Sequence, residues 1–280
     1  MFSQPITGIV KDSVTGKNIA FANIVLKNGK GTYSSETGLF ELEIKDFKTD
    51  SLKVSILGYQ SKILPASDFK NKSYYQILLA PKIEILNEVL ISSRKINYTD
   101  KEILGEKKEG NISVTSLIGY ETAIYIENPR RKKALLNKIY IDLKKRKDAQ
   151  YIATLNIKFY EVDTISKKPT RELHNENYYV KPKNKKYRLW INVKDLRIPF
   201  PKNGIYIGVE MVNTHGKVEK YSYFGPMFRY TLNNNEESKT WSNYHNSGWK
   251  KGSVDYRNLK KMKHGILNPV MGIEVMYPTQ

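Results

Sequence analysis

The sequence predicts an all-β chain: a small seven-strand sandwich followed by a larger, jelly-roll-like sandwich. Three observations lead there. Short apolar runs alternate with polar residues at a period of two, which places every second side chain on one sheet face. Turn clusters of Gly, Asn, Asp and Pro recur at intervals too short for helices. The aromatic residues are dominated by tyrosine, with 20 Tyr against 3 Trp and 9 Phe, and tyrosine favours half-buried strand surfaces.

In the front region, Ile6-Thr7-Gly8-Ile9-Val10 is a β-branched run and reads as the first strand. Asp12 to Lys17 is a turn cluster with Gly16 near its end. Ala22 to Leu26 is the second strand, and Asn28-Gly29 is a strong turn signal. Ser34 to Thr37 is polar, Gly38 turns the chain, and a clean alternation follows, so that Phe40, Leu42 and Ile44 should face one core. Leu52 to Ile56 repeats the alternation, Gly58-Tyr59 turns, and Tyr75 to Leu79 closes the unit before Pro81. Residues 1–82 therefore read as one small β domain.

These residues carry a resemblance. Ile6 to Asp12, Thr15-Gly16, Ala22-Asn23-Ile24, Ser35 to Phe40 and Ile56 to Tyr59 resemble, in order, the carboxypeptidase-regulatory-like domain. The resemblance implies a transthyretin-like sandwich, a front module common in exported and outer-membrane proteins of Bacteroidetes. Leu86-Asn87-Glu88-Val89-Leu90-Ile91 is similar to the segment that follows this domain in TonB-dependent receptors. Fewer than 190 residues remain after it, too few for a plug and a barrel of about 22 strands. The chain is therefore not expected to be a receptor. Met1-Phe2-Ser3-Gln4 is similar to the residues around a bacterial signal-peptide cleavage site, and a removed signal is the expectation.

Residues 83–112, rich in charge and including the 86–91 segment, read as a linker. From 113 onward the β pattern returns, with about eight strands expected over residues 113–280. Tyr120 to Ile126 ends at Asn128-Pro129. Leu136 to Leu143 has helix-like flanks, but Ile139, Ile141 and Leu143 alternate, which favours a strand. Leu155 to Val162, Tyr187 to Val193, Gly204 to Met211 and Gly272 to Tyr277 are the clearest further strands. The order of features resembles standalone Bacteroidetes proteins with this front domain and, more loosely, β-sandwich carbohydrate-binding modules.

Composition limits the chemistry. There is no cysteine, so disulfides, thiolate metal sites and a cysteine nucleophile are excluded. No apolar run reaches the length of a membrane-spanning helix. The formal charge is +19; residues 1–80 hold 10 Lys against 7 acids, a net +3, and the remainder carries the other +16. A surface this basic attracts anions. Its runs are Arg130-Arg131-Lys132-Lys133, Lys144-Lys145-Arg146-Lys147, Lys181 to Lys186 and Lys260-Lys261-Lys263. With no nucleic-acid module in the sequence, solvated loops or contact with anionic lipid, polysaccharide or an acidic envelope partner are the expectations, and nucleic acid is not.

No catalytic motif stands out, and no cofactor or metal is expected. His174, His215, His245 and His264 lack zinc spacing and read as isolated surface histidines. Asn233 to Glu237 is the densest oxygen-rich stretch, a solvated loop first and a cation ligand second. Binding points to residues 241–256, where Trp241, Tyr244, Trp249 and Tyr256 lie close to Asn243 and His245. That mixture suits a sugar, by ring stacking and hydroxyl contacts, or a protein partner anchored on aromatics; two of these rings as core residues is the bland alternative. Asp12-Ser13-Val14, Asp50-Ser51-Leu52 and Asp163-Thr164-Ile165 resemble the Bacteroidetes O-glycosylation pattern.

The sequence thus points to an exported, non-catalytic binding or accessory protein at the periplasmic or outer face of an outer membrane, as part of an envelope complex. A glycan-binding module using the 241–256 aromatics is the alternative, and a hydrolase with a fold-assembled site the remote one.

Overall fold

The computed structural model describes residues 5–27, 31–44, 51–56, 58–69, 74–82, 97–107, 112–115, 117–174, 176–212, 223–233, 238–245, 247–252 and 266–279. The chain is all-β, with several sheets in sandwich-like arrangement. Among the described residues there is no α-helix, only the short 3-10 turns Ala66–Phe69 and Lys194–Leu196. The chain forms two compact units, Met1–Glu88 with Val212–Ser222, and Val89–Met211 with Tyr223–Gln280.

Among the described residues the front unit has seven strands in two sheets. One is ordered Leu39–Glu43, Pro5–Asp12, Tyr74–Leu79, and the other Gly31–Tyr33, Asn23–Leu26, Ser51–Ser55, Lys62–Pro65. Pro5–Asp12 runs antiparallel to Leu39–Glu43 and parallel to Tyr74–Leu79. The register sets Ile6 opposite Leu42 and Gly8 opposite Phe40. Opposed residues share a face, so the alternation beginning at Leu39 puts Phe40, Leu42 and Ile44 into the core, while Leu39 stays 47% exposed. Full burial of each such side chain contributes about 1.5–3 kcal/mol. A Cβ on Gly8 would lie 2.6 Å from the Phe40 ring, so the glycine is what lets that ring cross the strand. Gly38 has φ +82° and closes the preceding turn by donating its N–H to Ser35 O at 2.9 Å. Gly31–Tyr33 and Lys62–Pro65 carried no alternation in the sequence because each lies at a sheet edge and has no continuous buried face.

The second unit has two main sheets. In the first, Ile266–Pro269, Met227–Asn233, Ala134–Lys144, Met271–Pro278 and Tyr98–Gly105 follow in order, and Tyr187–Asn192 and Pro199–Phe200 also pair with Ala134–Lys144. In the second the order is Pro169–Glu172, Thr154–Val162, Ile205–Val212, Tyr120–Ile126, Thr240–Tyr244, Lys250–Lys251, with Tyr178–Val180 also pairing with Thr154–Val162, further along the edge that Pro169–Glu172 occupies. The helix-or-strand ambiguity at 136–143 resolves as strand. Ile139, Ile141, Ile273 and Val275 from the first sheet, and Ile124, Phe159, Ile207 and Val209 from the second, are all essentially inaccessible.

One expectation needs correcting. Residues 98–105, read as linker, form a strand paired antiparallel with Met271–Pro278. It is a sheet edge with no fully buried residue, and charge on an edge strand is what protects it from pairing with other chains. In sequence such a strand looks like a linker. The 86–91 segment lies outside the described residues.

Candidate functional site

The second sheet of the second unit has an apolar face and a polar one. Along Tyr120–Ile126, Ile124 and Ile126 face the core, while Glu121, Ala123 and Tyr125 face the other way. The register puts Glu121 opposite Glu210, Ala123 opposite Gly208 and Tyr125 opposite Tyr206 on one side, and Glu121 opposite Asn243 and Ala123 opposite Trp241 on the other. Thr154–Val162 adds Lys158 and Tyr160. The polar face therefore collects two carboxylates, an ammonium, a phenol, an amide and an indole around a floor of Ala123 and Gly208. A Cβ on Gly208 would lie 2.3 Å from Glu121 Oε1 and 2.9 Å from the Tyr160 ring, so the glycine makes room for the carboxylate.

The charged groups are mutually bonded. Lys158 Nζ lies 3.0 Å from Glu210 Oε2 and 3.4 Å from Glu121 Oε2. Tyr160 Oη donates to Glu121 Oε1 at 2.6 Å. Glu121, Lys158, Tyr160 and Glu210 are all below a tenth exposed. Burial pushes the Glu121 carboxyl up, against the pull of Lys158. Burial alone would lower the Lys158 ammonium, but Glu121 and Glu210 outweigh it and hold it protonated. Burial and then Glu121 raise the Tyr160 phenol, and burial and then Glu210 raise that of Tyr179.

Beside the charges stands a wall of rings. Trp241, Trp249 and Tyr125, each partly buried, pack against Ala123, Tyr160 and Tyr206. Trp249 meets Tyr160 edge-on at 5.2 Å, and Tyr125 meets Tyr206 at 5.6 Å. Partly open rings next to a few fixed polar groups are the usual makings of a ligand site. Among the described residues no group of His, Asp and Glu has metal-binding geometry.

The structure brings together three of the binding residues expected from sequence: Trp241, Asn243 and Trp249. Asn243 Oδ1 accepts from Gly248 N at 3.1 Å, which ties down the turn that carries Trp249 onto Tyr160. Tyr244 is excluded. It sits opposite Tyr120, on the other face, 6.2 Å ring to ring. His245 is not a surface histidine but is 6% exposed. Its φ of +48° turns its ring onto Gly119, where any Cβ would lie 2.3 Å from it. Burial lowers its imidazole to about 4, so it is neutral at physiological pH. His174 is half-buried and also lowered by burial. Tyr256, His215, His264 and residues 234–237 lie outside the described residues.

The runs at 130–133 and 144–147 do not form one patch, and Lys260, Lys261 and Lys263 lie outside the described residues. Arg130 is held by Asp100 and Glu102 and lies over the Tyr277 ring at 4.3 Å. Arg131, Lys132 and Lys133 are exposed before the strand Ala134–Lys144, and Lys144, Lys145 and Arg146 lie at its far end. Eleven residues of strand separate them by about 33 Å. Arg146 is itself engaged by Asp148 and Thr115.

Two of the three Asp-Ser/Thr-apolar tripeptides take the same turn. Asp12 Oδ1 accepts from Val14 N and Thr15 N, and Asp163 Oδ1 from Ile165 N and Ser166 N. Val14 is 78% exposed and Ile165 92%. Asp50 lies outside the described residues.

The Glu121, Lys158, Tyr160 and Glu210 cluster was not singled out from sequence. Its only signal was alternation, with Asn156, Lys158 and Tyr160 between Leu155, Ile157 and Phe159, and Tyr206, Gly208 and Glu210 between Ile205, Ile207 and Val209. That pattern reads as an ordinary solvent face.

Residues 6–91 match the CarboxypepD_reg-like domain family. No curated protein matches the chain. Three solved structures show distant likeness, each at 10% identity over 99% of this chain: the T13 particle of IBDV at TM-score 0.29, a DUF3823 family protein from Bacteroides uniformis at 0.20, and T=1 particles derived from Infectious Bursal Virus at 0.24. The match covers all of the Bacteroides chain, and the chain spans 63% of the length of each viral chain. At these TM-scores the likenesses carry no inference.

Proposed function

From a front unit that is a carboxypeptidase-regulatory-like domain, we propose an exported, non-catalytic binding protein of the bacterial envelope. Its second unit recognises a glycan on the face bearing Trp241 and Trp249. The front domain supports the envelope setting, because domains of this type commonly lead exported proteins. The observation that carries the ligand reading is the Glu121, Lys158, Glu210 and Tyr160 cluster set beside partly open indoles.

A buried ion cluster is a poor source of stability, since apolar replacement of such groups is often neutral or better. Its use lies elsewhere. The cluster holds the rings in place through the Tyr160 phenol, which donates to Glu121 and meets Trp249 edge-on, and the partly open indoles are what stack on the C–H face of a sugar. The same cluster argues against hydrolysis: both carboxylates bond one ammonium and are almost inaccessible, so neither is placed to reach a substrate.

The test is retention on a glycan array. Trp241→Ala and Trp249→Ala should each abolish it while the unfolding midpoint stays within a few degrees. Retention equal to the parent in both variants would sink the glycan reading. The envelope role has its own test, recovery of a stable outer-membrane partner on affinity purification from the host envelope.

A further inference from the structure

Two lysine-rich loops meet at one end of the other sheet of the second unit. The strand register sets Asp142 opposite Arg188 and Leu143 opposite Tyr187, which brings the loop at 144–147 alongside the loop at 181–186. The loops are locked together: Arg146 N–H donates to Asn184 Oδ1 at 2.9 Å, and Asn184 Nδ2 donates back to Arg146 O at 2.8 Å. Lys183 N–H donates to Tyr187 Oη at 2.9 Å and fixes the second loop internally.

Lys144, Lys145, Lys147, Lys181, Lys183, Lys185 and Lys186 are all exposed on these two loops. The one acid in the sequence of residues 144–148 and 181–186 is Asp148, whose carboxylate lies 2.9 Å from Arg146 Nε. Like charges at neighbouring strand ends repel and destabilise, so this concentration is not explained by folding. Holding the two loops in register lowers the cost of ordering the loop backbone on binding.

We propose that these two loops form one preorganised site for a soluble polymer bearing closely spaced phosphate or sulfate groups. Lysine ammoniums are compact point charges that suit such oxyanions. Neither loop presents an open apolar side chain for insertion into a bilayer: Pro182 is buried, and Tyr187 is half-buried with Lys185 Nζ 5.2 Å above its ring. The same covering leaves no open ring on the loops themselves for base stacking, which single-stranded nucleic acid binding uses; Trp190, 40% exposed, lies three residues along the strand and rests against Tyr140 at 5.1 Å. A charged polymer in solution fits better than a membrane or a nucleic acid.

The test measures dextran sulfate and polyphosphate binding by the full chain across salt concentration, with neutral dextran as blank. Two charge-matched variants are compared. The first is Lys144→Gln, Lys145→Gln, Lys185→Gln and Lys186→Gln together. The second is Arg131→Gln, Lys132→Gln, Lys133→Gln and Lys202→Gln together, all exposed residues at the far end of the Ala134–Lys144 strand or beside it. The first should lose about tenfold or more in affinity near 0.1 M salt and show a shallower salt dependence, because phosphate-type contacts act through counterion release. The second should stay within about twofold of the parent on the same reasoning. Asn184→Ala removes no charge yet should weaken binding several-fold by unlocking the loops. Equal losses in the two charge variants, or none in the first, would overturn the site. Phosphatidylglycerol vesicles or duplex DNA bound more tightly per charge than dextran sulfate would overturn the choice of polymer.

Discussion

Glu121 and Glu210 stand directly opposite one another on neighbouring strands, and both reach the ammonium of Lys158, at 3.4 and 3.0 Å. Opposed like charges repel across a sheet, so the single cation is what makes the pairing tolerable. Lys158→Met should cost about 3–5 kcal/mol, because it leaves two buried carboxylates uncompensated. Combining it with Glu121→Gln and Glu210→Gln should recover much of the loss. Urea denaturation followed by tryptophan fluorescence measures both, and a single variant as stable as the parent would refute the coupling.

Acid should weaken the second unit through His245. Burial lowers the folded-state value to about 4, below the unfolded value of about 6.5. The unfolded chain therefore takes up the proton first, so stability is intact above pH 6.5 and is lost as pH falls toward 4. The full loss is about 3 kcal/mol. Glu210, which faces His245, favours the protonated ring and limits the effect. Glu121 acts in the opposite sense: its carboxyl is pushed up by burial, so its contribution is fully present below its unfolded value and declines as pH rises through the folded one. His245→Asn tolerates the left-handed backbone and removes the titration. It should flatten the fall in unfolding midpoint between pH 7 and pH 4.5, whereas Glu121→Gln should not.

Asn243 ties down the turn that carries Trp249. Its Oδ1 accepts from Gly248 N, and Asn243→Ala should cost about 1–2 kcal/mol from that lost bond. Trp249 should then leave the Tyr160 edge. The expected readouts are red-shifted tryptophan emission and weaker glycan retention, and unchanged emission would show that the turn holds without the amide.

Ser13 and Thr164 are presented alike, each following an aspartate that caps its own turn and preceding an apolar side chain held in solvent. If the resemblance to the Bacteroidetes O-glycosylation pattern reflects use, protein from such a host should carry added glycan mass. Ser13→Ala and Thr164→Ala should each remove one increment by intact-mass spectrometry.

What sequence could reveal followed from which face met water. Phe40, Leu42 and Ile44 announced their strand because their neighbours are solvated. Lys62–Pro65 and Tyr98–Gly105 gave no such signal, since an edge strand without a buried face has no alternation to show. The Lys158 and Glu210 side chains sat at positions indistinguishable from a solvent face. Their burial comes from tertiary neighbours such as Trp249 and Tyr179, far away in the chain. The lysines at 144–147 and 181–186 were visible as runs, but only the Leu143–Tyr187 register makes them neighbours.

The pairings also set an order of events for a chain that emerges from its N-terminal end. Pro5–Asp12 finds its antiparallel partner by residue 43 and its parallel one by residue 79, so that sheet closes early. Tyr98–Gly105 and Ala134–Lys144 both wait for Met271–Pro278. Until residue 278 has emerged, the second unit holds open strand edges, the state most exposed to mispairing with other chains. The unit that carries both proposed binding surfaces is thus the one whose strands pair last.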